Sequence, residues 1–218
     1  MNFMQLRERQ PKFPVTVKTG EGVVELIWNK IEYADGYRVF ASPVGKNHFV
    51  GVINVKGTTA VMKKRANGVP MQYKVKAFRI ADGPDNFFGE SEIVIACPLE
   101  TPRRLTAIVG SDGICTLSWR YNSQCDGFKI YADSNESGKY SFVCYSGKNS
   151  CRLDSFTKSG KVSFVVRSFI MTGHMEKLGV SSAPAEAVLP KSKGAKAVQF
   201  DHSMIRKTAG DYNARRFA

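Results

Sequence analysis

The chain has 218 residues, of which 43% are hydrophobic and 23% are charged, and its formal net charge is +13. This composition is that of a globular protein and excludes a fully disordered or collagen-like chain. No stretch approaches the roughly 18 consecutive apolar residues that a membrane-spanning helix needs, so we expect no membrane insertion.

The first residues lack the apolar core of a secretory signal. We therefore expect the chain to be made in the cytoplasm without a cleaved signal peptide. The excess positive charge is concentrated at the two ends: residues 1–19 carry +3 and residues 191–218 carry +5, whereas residues 20–98 and 99–190 carry +2 and +3. A nucleic-acid-binding domain more often has a basic stripe on a folded face. The distribution therefore favours terminal segments that dock on a partner.

An N-terminal arm over residues 1–10 precedes the first regular elements. From residue 11 onward, short runs in which apolar and polar residues alternate predict β-strands with one buried face. The predicted strands are 15–18, 23–28, 37–41, 49–55, 58–62, 72–78 and 92–96, with turn residues between them. Seven short strands without a helical pattern predict an antiparallel β-sandwich.

The same pattern occurs again 91 positions later, where Trp119 is the equivalent of Trp28. The second set of predicted strands is 105–109, 114–119, 128–132, 140–145, 150–153, 162–169 and 185–189. A repeat of this period indicates two copies of one structural unit. The predicted domains are residues 11–98 and 99–190, followed by a C-terminal tail over residues 191–218.

Several motifs of the first unit match a known family, and the second unit has weaker counterparts of some of them. They are Leu26-Ile27-Trp28 on the second strand, Gly36-Tyr37-Arg38-Val39 on the third, Tyr73-Lys74-Val75-Lys76-Ala77 on the sixth, and Gly89-Glu90-Ser91, which is echoed by Gly179-Val180-Ser181. With these motifs, each unit resembles a fibronectin type III domain. The resemblance implies an all-β chain of two tandem seven-stranded antiparallel β-sandwiches with extended N- and C-terminal arms.

The resemblance also implies which large side chains form the two cores. The expected core residues are Trp28, Tyr37, Tyr73, Trp119, Phe128 and Phe164. Tyr73 resembles the tyrosine corner of the family, whose hydroxyl bonds back to the chain. Phe164 stands at the equivalent position, so we expect the second domain to lack that hydrogen bond and to be the less stable one.

No pattern in the sequence indicates a catalytic, metal or cofactor site. The five cysteines are odd in number and form no Cys-x-x-Cys motif, so they predict free thiols and neither a disulfide framework nor a zinc site. The loop residue Cys125 is the thiol that we expect solvent to reach most easily. The three histidines are scattered, and we predict no catalytic residue, no metal ion and no cofactor.

The C-terminal tail combines positive charge with large apolar residues at regular intervals. A purely solvating tail would be poor in such residues, whereas a segment that folds onto a partner needs both. The predicted partner-binding residues are Phe200, Met204, Ile205, Arg206, Lys207, Tyr212, Arg215, Arg216 and Phe217.

These observations favour a non-enzymatic structural or interaction protein. Tandem fibronectin type III domains in a chain without a signal peptide resemble those of phage virion proteins. We therefore expect a capsid-decorating or tail-associated virion component whose partners are other proteins of that assembly. The alternative is a cell-surface or carbohydrate-binding adhesion module at an extracellular surface, and the assignment of the large aromatic residues to core positions counts against it. Nucleic-acid contact through the basic tail is the third interpretation and is not favoured.

Overall fold

The computed structural model describes residues 12–83, 85–154, 159–173 and 175–190. The chain divides between Pro98 and Leu99 into two compact units, which we call domain 1 and domain 2. Within the described ranges, every regular element is a β-strand except one turn of 3-10 helix, Ile80–Asp82. The described part of the chain contains no helix that is long and apolar enough to cross a membrane.

Domain 1 consists of two antiparallel sheets that face each other. Its strands are β1 (Val15–Gly20), β2 (Val23–Trp28), β3 (Gly36–Pro43), β4 (Val50–Val55), β5 (Thr59–Met62), β6 (Met71–Phe78), β7 (Phe87–Glu90) and β8 (Val94–Ala96). One sheet has the order β1-β2-β5, and the other has the order β4-β3-β6-β7, with β8 also paired to β6. Because β7 and β8 pair with opposite ends of β6, they form one interrupted strand, and the sandwich has seven strand positions.

Domain 2 repeats this arrangement. Its strands are β9 (Arg103–Val109), β10 (Cys115–Arg120), β11 (Gly127–Asp133), β12 (Ser141–Ser146), β13 (Ser150–Leu153), β14 (Gly160–Thr172), β15 (Met175–Leu178) and β16 (Ala185–Leu189). The two sheets have the orders β13-β10-β9 and β12-β11-β14-β15, with β16 also paired to β14. The chain is therefore all-β, with two tandem antiparallel sandwiches, as the sequence predicts.

The strands β7 and β15 lie where the sequence predicts loops. Both are four-residue segments at the edge of a sheet, and neither shows a sustained alternation of apolar and polar residues. Their extended conformation depends on pairing with the long strands β6 and β14. Tertiary contacts therefore decide their structure where local sequence preference is weak.

Each core lies between the two sheets of its domain, and alternate residues of the second strand of each domain point into it. Along β10, buried and exposed residues alternate strictly, and along β2 buried residues alternate with half-buried ones. The indole of Trp28 packs edge-on against Tyr37 with ring centroids 5.3 Å apart, and Trp119 packs against Phe128 at 5.1 Å. The structure buries all six residues assigned to the core from the sequence, namely Trp28, Tyr37, Tyr73, Trp119, Phe128 and Phe164.

The hydroxyl of Tyr73 behaves differently from the sequence expectation. The side chain is buried, and burial raises its pKa. Among the described residues, however, its hydroxyl makes no hydrogen bond to the chain. In domain 1 the Tyr37 hydroxyl instead accepts a hydrogen bond of 2.8 Å from the backbone N–H of Ile31. The presence of Phe164 in domain 2 is therefore no reason to expect that domain to be less stable.

Domain 2 satisfies the equivalent backbone donor in another way. The residue 91 positions after Ile31 is Asn122, and its N–H donates to the Glu100 carboxylate over 3.0 Å. The same carboxylate accepts a bond of 2.7 Å from the Ser123 hydroxyl. A carboxylate from the start of domain 2 thus takes the place of the tyrosine hydroxyl that domain 1 uses.

The repeated Asp-Gly pair has a structural role in both domains. The carboxylates of Asp35 and Asp126 accept hydrogen bonds from the equivalent backbone N–H groups of Ile80 and Met171. The glycine that follows is needed for packing, because a Cβ atom at Gly36 would lie 2.6 Å from the ring of Phe78. The pair therefore anchors the start of β3, and the equivalent pair that of β11.

A buried serine marks the break in the last strand of each sandwich. The Ser91 hydroxyl accepts a hydrogen bond of 2.8 Å from the backbone N–H of Val75. The backbone N–H of Ser91 donates a second hydrogen bond of 2.8 Å to the Val75 carbonyl. Ser182 makes the same two bonds with Val166, at 3.0 and 2.9 Å. The structural partner of Ser91 is therefore Ser182, and the motif match to Ser181 is off by one residue.

Candidate interaction surface

The outer face of the larger sheet of domain 2 carries a cluster of aromatic side chains. A β-bulge in β12 creates it: Cys144 pairs with Ile130, but Phe142 pairs with Tyr131, so that Val143 is the additional residue. The bulge shifts the alternation by one position. As a result Cys144 points into the core, while Phe142 and Tyr145 lie on the outer face of the sheet.

The aromatic rings on this face form a continuous cluster. Tyr131 lies edge-on to Phe142 at 5.9 Å, and Phe142 lies edge-on to Tyr145 at 4.9 Å between centroids. Phe142 is 47% exposed, whereas the other two rings are half-buried. We call Tyr131, Phe142 and Tyr145 the aromatic triad.

A lysine supports the aromatic triad from the neighbouring strand. The Lys129 Nζ atom lies 5.0 Å from the centroid of Tyr145 and 5.5 Å from that of Phe142. It also forms an ion pair of 2.5 Å with Glu176 on β15. Burial by itself would lower the pKa of Lys129, but its bonds with Glu176 and Tyr145 raise it overall. The cation is therefore neutralised by its own partner, and the triad presents mainly apolar surface.

Domain 1 has the same bulge but a different outer face. Ile53 pairs with Val39 and Gly51 pairs with Phe40, so that Val52 is the additional residue. The positions equivalent to Phe142 and Tyr145 are Gly51 and Asn54, and neither supplies a ring.

The rings of domain 1 lie on β3 and β7, and cations lie between them. Phe40 and Phe87 pack edge-on at 5.5 Å. The Lys76 Nζ atom lies 5.6 Å from each of these rings, and the guanidinium of Arg38 lies 5.4 Å from Phe87. Lys76 is also paired with Glu90 at 2.9 Å. The rings of this face therefore lie among two cations, each of which is paired with an acidic residue.

A shallow pocket of about 300 Å³ lies beside the edge strand of domain 1, and Arg38 and residues 51–54 line it. The Arg38 side chain donates to Asn54 over 2.8 Å and pairs with Asp85 at 2.6 Å, so its charge is already balanced. The missing side chain at Gly51 provides the space, because Phe142 fills the equivalent position in domain 2. A small polar group could enter this pocket, but the described residues that line it form no defined binding site.

The loop that follows β11 lies next to the aromatic triad and is organised by a buried carboxylate. Asp133 accepts hydrogen bonds from the backbone N–H groups of Asn135 and Gly138 and from the Ser137 hydroxyl. These bonds, with that of Asn135 contributing most, lower the pKa of Asp133. The carboxylate therefore stabilises the loop in its ionised form.

The thiols show no metal site but do show one close pair. No group of three or more metal-binding side chains occurs among the residues that the structure describes. None of the five cysteines, all of which lie in the described ranges, is in a disulfide, and Cys125 and Cys151 are both half-buried. Burial raises the pKa of Cys125, whereas a hydrogen bond with Cys144 lowers the pKa of Cys151. Because Cys125 and Cys151 are both half-buried, the expectation that solvent reaches Cys125 most easily stays a prediction.

The predicted partner-binding residues of the tail lie in residues 191–218, outside the described residues. The expectation that large aromatic side chains occupy core positions is wrong for the aromatic triad. Strict alternation along a strand 140–145 would place Phe142 and Cys144 on one face, and only the bulge separates them. Two aromatic residues three apart in a strand are the signal that could have suggested a bulge.

Comparisons with known proteins identify structures but no sequence family. No protein-family model matches the chain, and no curated protein matches it significantly. Similar solved structures include the FN1–FN3 domains of chicken CNTN1, a contactin, with 19% identity, a TM-score of 0.37, and coverage of 84% of this chain and 69% of that one. A two-domain fibronectin type III segment of chicken tenascin has 17% identity, a TM-score of 0.44, and coverage of 80% of this chain and 96% of the other.

The strand order within each unit, together with the repeated tryptophan, Asp-Gly and buried-serine positions, identifies the fold. The chain contains two tandem fibronectin type III-like domains.

Proposed function

We propose that the protein is a non-enzymatic interaction component of a large protein assembly, in which residues 191–218 dock on the assembly and the two domains are displayed. A virion, with the protein in a capsid-decorating or tail-associated position, is the assembly that we propose. The charge distribution supports this proposal, because residues 191–218 carry +5 while the two domain bodies carry only +2 and +3. Arginine and aromatic residues, which the tail combines, dominate binding hot spots.

The aromatic triad is the observation that carries the interaction part of this proposal. Phe142 is half-exposed and is held by Tyr131 and Tyr145 on either side. Because the ion pair between Lys129 and Glu176 is satisfied within the domain, a partner would not need to provide a countercharge. Rigid aromatic side chains on a folded surface lose little conformational entropy on binding. The triad is therefore suited to an apolar contact.

Deletion of residues 191–218 tests the docking part. We expect the truncated chain to keep two folded domains, which two unfolding transitions would show, and to lose incorporation into the parent particle in a co-sedimentation assay. Normal incorporation of the truncated chain would overturn this part of the proposal.

The chemistry of docking can be tested separately. Alanine substitution of Phe200, Ile205, Tyr212 and Phe217 should abolish incorporation, because these residues are the expected apolar anchors. Raising the salt concentration should weaken incorporation only modestly, whereas phosphate contacts would lose affinity steeply with salt. A steep salt dependence, with little effect of the apolar substitutions, would support nucleic-acid contact instead.

The aromatic triad also supports a second candidate function, the binding of a cell-surface carbohydrate at an extracellular surface. Exposed aromatic rings can pack against the apolar faces of sugar rings, which are otherwise hard to recognise without burying polar groups. Phe142→Ala should abolish binding in a glycan array if this function is correct. Ile108→Ala is the matched control, because Ile108 is 66% exposed but lies on β9 in the other sheet of the same domain. Glycan binding that survives Phe142→Ala would exclude the triad as the site.

A further inference from the structure

Two cysteines of domain 2 face each other across the sandwich. Cys144 lies on β12, where it pairs with Ile130, and Cys151 lies on β13, where it pairs with Leu117. The two strands belong to different sheets. Residues 147–149 connect them, and the two Sγ atoms are 3.3 Å apart. This is van der Waals contact between the sulfurs, so little movement is needed to join them.

The packing of the sandwich does not require this thiol pair. In domain 1 the equivalent residues are Ile53 and Ala60, and that domain forms the same pair of sheets without a cysteine at either position. The two cysteines therefore add a chemical property that the fold itself does not need.

The two thiols differ in their access to solvent. Cys144 is 5% exposed and is part of the core, whereas Cys151 is half-buried at the edge of the core. Because the thiolate is the reactive form and needs access to its target, Cys151 is the group that an external reagent meets first. Cys144 is then already in place as the resolving thiol.

We propose that Cys144 and Cys151 form a reversible disulfide by exchange with a low-molecular-weight disulfide such as oxidised glutathione. The Cys151 thiolate attacks one sulfur of the external disulfide, forms a mixed disulfide and releases one glutathione thiolate. Cys144 then gives up its proton and attacks the Cys151 sulfur, which expels the second glutathione thiolate. The two cysteines are oxidised by two electrons in total, and one glutathione disulfide is reduced to two glutathione thiols.

The pKa values of the pair support this order of events. The hydrogen bond with Cys144 lowers the pKa of Cys151, and the same interaction together with burial raises the pKa of Cys144. The first attack therefore falls to the thiol that ionises more readily. The low local polarity around Cys144 delays the second step but does not prevent it, because its target sulfur is in contact.

The bond would join the two sheets of domain 2 next to the aromatic triad. Cys144 lies between Phe142 and Tyr145 on β12, which is an edge strand held by β11 alone within its sheet. A covalent link to β13 would hold this strand from its other side. The oxidised form of domain 2 should therefore unfold at a higher temperature than the reduced form.

The test uses the full chain in its folded state. The protein is incubated with oxidised glutathione, quenched in acid and treated with an alkylating reagent under denaturing conditions, and its intact mass and peptide map are measured. We expect a chain that has lost two hydrogens, with the peptides containing Cys144 and Cys151 linked. We also expect the unfolding temperature of domain 2 to rise by roughly 10 °C relative to the reduced chain. Alkylation of both cysteines after this treatment, or a link to Cys115 in place of Cys144, would overturn the proposal.

Single substitutions distinguish the attacking thiol, Cys151, from the resolving thiol, Cys144. Cys144→Ser should leave a stable glutathione adduct on Cys151, because the resolving thiol is absent. Cys151→Ser should form no comparable adduct on the buried Cys144. Cys125→Ser is the matched control, and it should oxidise like the parent chain. Equal adducts in the first two variants would overturn the assigned order of attack, and circular dichroism spectra establish that each variant is folded before it is treated.

Discussion

Replacing Tyr37 by phenylalanine isolates one buried hydrogen bond of domain 1. The backbone N–H of Ile31 donates to the Tyr37 hydroxyl over 2.8 Å in a buried environment. Tyr37→Phe removes this acceptor but leaves the ring, which packs against Trp28 at 5.3 Å. The change therefore tests the hydrogen bond without creating a cavity.

The expected loss follows from the burial of both partners. Tyr37 is 1% exposed and Ile31 is 8% exposed, so water has little access to the N–H group that is left behind. An unsatisfied buried donor costs about 1–3 kcal/mol, and we expect about 2 kcal/mol here. With a urea m-value of about 1–2 kcal/mol per molar for a domain of this size, the midpoint of unfolding should fall by about 1–2 M.

The two tryptophans make the measurement specific to one domain. In a Trp119→Phe background, Trp28 is the only tryptophan of the chain, so its emission reports the urea unfolding of domain 1 alone. Tyr37→Phe is then compared with Tyr37 in this same background. A loss smaller than about 0.5 kcal/mol would refute the reasoning, because the Ile31 N–H would then have found another acceptor.

Three further predictions concern the remaining contacts. In domain 2, Glu100→Ala should lower the free energy of unfolding by about 1–3 kcal/mol because two donors lose a charged acceptor. Adding Phe128→Tyr to this variant should recover part of the loss, because it supplies the hydroxyl that domain 1 uses. Trp119 emission during urea unfolding, in a Trp28→Phe background, measures both changes, and no recovery would count against the equivalence of the two acceptors. Trp28→Ala and Trp119→Ala should each lower the free energy of unfolding of their domain by about 3–5 kcal/mol. Hydrogen exchange should show a loss of protection in the substituted domain only. The hydrogen bonds to Asp133 lower its pKa, so the stability that they provide is present above the ordinary aspartate pKa of about 3.9 and is lost as the pH falls through the lower folded-state value. Asp133→Asn should therefore lower the urea midpoint of domain 2 near neutral pH, and in strong acid the midpoints of the variant and the parent chain should become equal. A difference in midpoint that does not change with pH would contradict a role for the ionised carboxylate.

The regular parts of the fold could be predicted from the sequence because local patterns specify them. The alternation around Trp28 and Trp119 requires one buried face, and the 91-residue repeat tests each strand assignment twice. The buried serines show the limit of a short motif match: Ser91 and Ser182 lie 91 positions apart and make the same bonds to the sixth strand position of their domains, whereas the glycines of the matched motif are only 90 positions apart. The repeat register and the hydrogen bonds both identify Ser182, and the motif alone points to Ser181.

The aromatic triad and the contact between the two thiols could not be predicted for a different reason. The triad depends on the bulge at Val143, which reverses the faces of the residues that precede it. A bulge is a feature of two paired strands, so the sequence of β12 alone does not reveal it. The contact between Cys144 and Cys151 requires that two strands of different sheets approach each other, and local alternation contains no information on that distance.

The outer faces of the two domains differ in chemistry, whereas their cores do not. The equivalent cores are filled by the same or similar side chains, since Trp28 and Trp119 must fill the same space between two sheets. On the outer faces, Gly51 of domain 1 is the repeat equivalent of Phe142 of domain 2. The face of domain 1 therefore has cations and a pocket, and the face of domain 2 has exposed aromatic rings. A chain that binds one ligand twice has two sites of the same chemistry, and the two faces of this chain do not fit that description. If both faces engage one target, the second contact becomes intramolecular and strengthens the first. Removal of the Phe142 ring should then weaken attachment to the whole target strongly, while the contact of domain 1 with its own part of the target remains measurable.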